Sequence, residues 1–377
     1  MHAEGAFLDF AAGGDQGIVA ALRSDIELRL QHNGNEYTHH LPAWTQGIER
    51  SASFHFGPVC FSSRGDWIDS VDFPEAGKQN YLNEAEANYR WKEILKEALE
   101  QPHSEAEVAG LASPVYEVVR KCPAVLSVTV RGYEREYSRK LARMVCKTAL
   151  DSTSLCFQNS DFFRQQALHD ERLPPFSTSG ILESNGFLWL PGSRLVRMPV
   201  LPPAEALETW NSFELFHDPI GQILWGILDP SAHSHPRLSS RWATALDWLG
   251  EGCREPSDAV ALAKMAASLD VLSNGGRCKG ILQMVSNLSG LRAEEQVMRS
   301  GEPMTLAKVI EGIYNHGRSR ILHNHHDRLA PFTRERAQAE QIATAVLLEA
   351  ALRLHAYNGD DEDDEAFRTM PQTSDPR

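Results

Sequence analysis

The chain contains no C-x-x-C pair, and its six cysteines (Cys60, Cys122, Cys146, Cys156, Cys253 and Cys278) are widely scattered. That spacing argues against a zinc ribbon, a thioredoxin-like centre and a secreted disulfide framework, and leaves buried or free thiols. No uncharged apolar run approaches the roughly 18 residues that a membrane span requires. The start, MHAEGAF, has neither the basic nor the apolar stretch of a leader peptide, so a cytoplasmic protein without membrane contact is expected. P-loop, G-x-S-x-G and G-x-G-x-x-G elements are missing as well; Gly250-Glu251-Gly252 lacks the third glycine. Positive charge is scarce: Lys and Arg number 37 against 51 Asp and Glu, a formal −14, which on its face opposes non-specific nucleic-acid binding.

What is present is an ordinary globular composition. Hydrophobic residues make up 42% and charged residues 23% of 377, enough to bury real cores and long enough for about two domains. The charge is also unevenly placed. Asp360, Asp361, Glu362, Asp363, Asp364 and Glu365 form one acidic block, and setting those six aside brings −14 to −8. Between Asn315 and Arg336 the sign reverses, with Arg318, Arg320, Arg328, Arg334 and Arg336 against only Asp327 and Glu335. A local basic patch is therefore compatible with the acidic total.

The first part of the chain reads as mixed α and β. Ile26, Leu28 and Leu30, then Phe54 and Phe56, then Leu126, Val128 and Val130 alternate with polar residues, the period of half-buried strands. Asn185-Gly186 lies between two apolar arms over 181–190, and a type I′ hairpin turn needs positive φ at both of its central residues. Asn83 with Glu86 resembles a capping box ahead of a helix bearing Ala87, Trp91, Ile94, Leu95 and Ala98, and 138–151 is a second helical candidate. Prolines cluster from Pro191 to Pro236, which places a domain boundary near residue 237. Beyond it, helices are expected over 239–249, 257–273, 280–291, from a Thr305 cap onward, and through Ile342, Val346 and Leu352: an all-α bundle over 238–357. The tail, 358–377, is expected to be disordered and removable without unfolding the protein.

Chemistry concentrates in the stretch from Ile313 to Arg328. Ser319 and His323 are four apart and share a helical face, whereas Arg318 and His323 are five apart and splay by about 140° on an ideal helix. They converge only if the helix ends between them or if a second copy supplies the other half. Asn324 tolerates left-handed backbone and is a plausible stop, and a histidine in the last turn faces the negative end of the helix dipole, which favours its protonated form. His316, His323, His325 and His326 invite a metal, but no Asp, Glu or Cys at ligand spacing completes a set, so no metal or cofactor is expected. His233 and His235 read as loop residues. Asp270, mid-helix among apolar residues, is read as an exposed aspartate, a brace on the Arg/His pair being the alternative.

Arg318, four intervening residues and His323, on a helix carrying Ile313-Tyr314 within a C-terminal bundle and with Ser319 following the arginine, resemble the HEPN ribonuclease motif in its Apea-like branch. The resemblance covers residues 238 to 357, and Asn324 stands where that branch usually has glycine. Beside the α+β N-terminal region read above, which it leaves unassigned, it implies a HEPN bundle, a homodimer, and metal-independent RNA cleavage with Arg318 and His323 catalytic. Ser319 and Asn324 would support them, with Arg320, His326 and Arg328 contacting RNA. Antiphage defence or a toxin-like growth arrest that cuts tRNA or mRNA is the setting implied, with residues 1–237 sensing a trigger protein or selecting substrate. The alternatives are a HEPN scaffold that binds RNA, nucleotide or protein without turnover, and an acidic regulatory protein.

Overall fold

The computed structural model describes residues 36–50, 52–100, 108–157, 159–171, 177–178, 182–189, 194–195, 201–297, 303–322 and 332–372. The expected strand at Ile26–Leu30 lies outside them. β1 (Glu36–Trp44) pairs antiparallel with β4 (Ala124–Arg131), from Glu36 against Arg131 to Ala43 against Ala124. β2 (Phe54–Phe56), β3 (Val59–Ser63) and β5 (Ala167–Leu168) complete a sheet in the order β2-β3-β4-β1-β5. Alternation along β4 sends its side chains to two different cores. Leu126, Val128 and Val130 enter the main core, while Val125 joins a smaller one with Trp67, Trp91, Leu95, Leu111 and Val119.

The smaller core is roofed by α1 (Arg64–Ser70), α4 (Trp91–Glu100) and α5 (Ala112–Val119), with α2 (Glu75–Asn80) and α3 (Ala85–Tyr89) between α1 and α4 in the chain. The expected capping box is not formed. Leu82 and Asn83 take left-handed φ of 50° and 58°, which breaks the chain before Ala85, and no side chain caps α3. The Asn88 amide ties the break instead: it donates to the Lys78 and Tyr81 carbonyls and accepts from the Leu111 N–H. The apolar stripe of α4 is as read, with Trp91 and Leu95 buried.

The main core is shared by the sheet and the bundle. α6 (Arg135–Cys156) lies on the sheet and is followed by α7 (Asp161–Gln165). It runs past the expected end at Asp151 because Ser152, Thr153 and Ser154, all fully buried, return their hydroxyls to carbonyls of their own helix. Beyond two short pairings, β6 (Ser177–Thr178) with β9 (Arg194–Leu195) and β7 (Leu182–Ser184) with β8 (Phe187–Trp189), the described elements are helices. The β7–β8 turn carries Asn185 at φ 54° and Gly186 at φ 77°, as expected for its type.

Helices start before the proline-marked boundary, at α8 (Pro203–Ser212) and α9 (His217–Leu228), because Pro203 sits at a first-turn position where it has no hydrogen bond to lose. Ile220, Ile223 and Leu224 of α9 share one continuous core with Val145 and Ala149 of α6 and with the helices that follow. Residue 237 therefore does not separate two cores. α10 (Pro236–Arg254), α11 (Asp258–Leu272), α12 (Arg277–Ser289), α13 (Leu306–Glu311) and α15 (Thr333–His355), with a short α14 (Arg320–Leu322), build the bundle where its periodicity indicated. Trp242 is fully buried at its centre and donates its indole N–H to the Leu347 carbonyl at 2.8 Å.

The acidic tail is not disordered over 358–372. Ala366, Phe367 and Met370 are buried, two of them on the one-turn helix α16 (Ala366–Thr369). The Asp361 carboxylate accepts the Arg237 and Leu238 backbone N–H groups at 2.9 and 3.0 Å, capping α10 from a distant part of the chain. Arg368 donates to the Ser273, Asn274 and Gly275 carbonyls at the end of α11. His235 Nε2 and the Tyr357 carbonyl oxygen lie 2.8 Å apart, which fixes the point where the tail leaves the bundle.

Two half-buried histidines make stability sensitive to acid. Burial lowers His39, helped by Arg139 and Arg135, and burial lowers His217, which stacks on Trp210 at 4.0 Å. Both folded-state values lie below the ordinary value of about 6.5, so at mildly acidic pH the unfolded chain binds more protons than the folded one. Their contribution is complete above about pH 6.5 and is lost as pH falls from there through the folded values. Thermal melts at about pH 7.5 and about pH 5.5 should show a lower midpoint in acid, with a smaller drop in an H217Q variant.

Candidate active site

Arg318 sits on a segment with an unusual backbone. Thr305 caps α13 by accepting the Lys308 N–H at 3.4 Å, and Leu306, Val309, Ile310 and Ile313 anchor the helix in the core. From Gly312 to Ser319 the hydrogen bonding widens to π-helical, a form found mostly as short stretches and frequently at functional sites. Gly317 packs closely there: a Cβ at this position would lie 2.6 Å from Cδ2 of Leu262, a fully buried residue of α11 whose side chain would have to shift. The π segment ends at Ser319, and the α-helical turn α14 follows it.

The guanidinium of Arg318 is held from two sides. Nη1–H donates to Tyr314 Oη at 3.2 Å, and the guanidinium carbon lies 5.3 Å from the centre of the same ring. On the other side Nη2 is 3.4 Å from Oδ2 of Asp270 on α11. The two side chains are 27% and 21% exposed, so the pair is sheltered but open to a ligand. Arg318 Nε and Asp270 Oδ1 are both buried and have no hydrogen-bond partner among the described residues. Asp270 is thus half-buried and paired with Arg318, not the exposed aspartate expected.

Of the other expected site residues, Ser319 is half-buried and Arg320 exposed beside Arg318. His323, Asn324, His326 and Arg328 lie outside the described residues. The basic patch carries less net charge than the local sequence indicates, because α11 answers it with acid. Arg336 Nη1 meets Asp258 Oδ1 at 2.8 Å, and Thr333 together with Arg336 holds the Asp258 carboxyl below its usual range. Among the described residues, no group of three or more His, Cys, Asp or Glu side chains is arranged to hold a metal ion.

The part played by Tyr314 was missed in the sequence, although its i,i+4 spacing to Arg318 is the distance at which helical side chains meet. The π segment had a fainter signal in Gly312 and Gly317, five residues apart. Comparison of the chain with protein-family models, with curated proteins and with solved structures gives no match.

Proposed function

We propose that the chain is a metal-independent RNA endonuclease of the HEPN type that works as a homodimer. The observation that carries this reading is Arg318: a half-exposed arginine with its guanidinium oriented by Asp270 and Tyr314, in Arg-x4-His spacing within a helical bundle. In this reaction His323 removes the proton from a ribose 2′-hydroxyl, whose oxygen attacks the adjacent phosphorus. The bond to the 5′-oxygen breaks, and that oxygen takes up a proton supplied by a histidine. Arg318 neutralises the charge gathered on the phosphorane oxygens through its planar donor fork. Ser319 orients His323 or touches phosphate, and Arg320, His326 and Arg328 contact the RNA backbone. The sheet region selects the tRNA or mRNA target or senses a trigger, in antiphage defence or a toxin-like arrest.

R318A and H323A should each lower cleavage of labelled RNA by about 100-fold or more, the scale seen when one preorganised donor is lost from a transition state. Cleavage by the parent protein should survive excess chelator and leave a 2′,3′-cyclic phosphate with a 5′-hydroxyl. RNA with a 2′-O-methyl group at the cut site should bind and resist. Parental activity in both variants rejects the assignment. The pairing of Arg318 with Asp270 and of Arg336 with Asp258 favours a second reading, a non-catalytic HEPN scaffold, for which RNA is bound but never cut.

A further inference from the structure

We propose that Asp270 is a positioning residue that sets the aim of the Arg318 guanidinium and thereby the rate, rather than the tightness, of phosphodiester cleavage. The proposal rests on the nuclease reading above. Asp270 belongs to α11 and Arg318 to the π segment, so their contact spans two elements and cannot follow from local helical spacing.

Three observations converge. First, the contact is single: Nη2 approaches Oδ2 at 3.4 Å, longer than the usual charge-assisted hydrogen bond. Second, the groups that would close a two-pronged fork, Arg318 Nε–H and Asp270 Oδ1, are both buried and have no hydrogen-bond partner among the described residues. Buried polar groups normally have partners, so a donor and an acceptor orphaned on the two members of one ion pair mark a fork held open. Third, Tyr314 holds it open, taking Nη1–H at 3.2 Å and the face of the guanidinium over its ring. The arginine is therefore suspended between a carboxylate and a phenol, with N–H groups still uncommitted on a side chain 27% exposed. An arginine tethered on both sides meets phosphate with its orientation already set, which is how positioning groups lower a barrier.

The carboxylate also has an opposing effect. Its negative charge beside Arg318 weakens the attraction of the site for phosphate, so removing it should strengthen RNA binding while loosening the guanidinium. A residue that only stabilised the fold would not move the two in opposite directions.

D270A should lower kcat by about 10- to 100-fold, since small misplacements of a positioned group cost on that order. KM should stay the same or fall, as should the Kd for 2′-O-methyl RNA. The contact is an ion pair without a hydrogen bond, so D270N, which keeps the shape and loses the charge, should recover little of the lost kcat, D270E should recover part of it, and a D270A/R318A double variant should be no slower than R318A. An unchanged kcat in D270A beside an inactive R318A overturns the role of Asp270 alone. A D270A variant weakened equally in kcat and RNA affinity, in step with a lower melting midpoint, overturns it in favour of a structural contact. R318A cleaving at the parental rate, or a parent that cuts no RNA, overturns the nuclease reading and this proposal with it.

Discussion

Removal of residues 358–377 should destabilise the protein by about 4–7 kcal/mol and leave much of it insoluble. Phe367 and Met370 are each 1% exposed, and burying side chains of that size contributes about 1.5–3 kcal/mol apiece. The Asp361 cap on α10 adds about 1 kcal/mol. Arg353, 3% exposed, would lose the Met370 carbonyl as a partner while keeping Asn287 and Leu288. Against a typical total of about 5–15 kcal/mol the loss is large. The truncated protein and an F367A variant, for which about 3–5 kcal/mol is expected, can both be compared with the parent by urea denaturation. A truncated chain melting with the parent would overturn this account. The same region of α10 engages the acidic block through Arg237 with Glu362 and Arg241 with Asp364.

The second large effect is expected at Asp151. This carboxylate, 1% exposed on α6, pairs with Arg254 of α10, itself 8% exposed, which also donates to the Phe163 carbonyl at 2.9 Å. Removing one member leaves Arg254 with only Glu251 at 3.3 Å, or the buried Asp151 with only the field of Lys147, and loss of one side of a buried pair costs up to about 3–5 kcal/mol. D151A should therefore lower the denaturation midpoint sharply, and R254M should do likewise. A D151L/R254M double variant should recover much of the loss, because two apolar side chains of similar volume avoid the desolvation of both ions. Independent additivity of the two single changes would show that the pair does not act as a unit.

These two places also mark where the sequence stops being legible. The β7–β8 turn, the strand alternation of β4 and the helices of the bundle rest on local rules, so Asn185-Gly186, Val128 and Thr305 announced their structures. Asp151-Ser152-Thr153-Ser154 announced the end of a helix, because polarity inside a helix is ordinarily a surface signal. It is buried here only because Arg254, more than a hundred residues away in sequence, compensates the charge and the hydroxyls bond back to the backbone. The acidic tail misled for a related reason: its partners are helix ends, which exist only once the bundle is assembled. In the candidate site, Arg318 was found from its spacing to His323. The role of Asp270 was not decided, since whether α11 turns it toward Arg318 depends on packing between helices.

The close approach of Gly317 to Leu262 gives the site a mechanical property. Leu262 and Asp270 ride on the same helix, two turns apart, and Gly317 immediately precedes Arg318. A methyl introduced at 317 meets the end of the Leu262 side chain, which must give way, so the packing of the π segment on α11 shifts beside the ion pair. The hydrophobic interior then acts as a lever on a charge at the surface, so that the volume of one buried side chain becomes a tuning screw for the angle of the arginine.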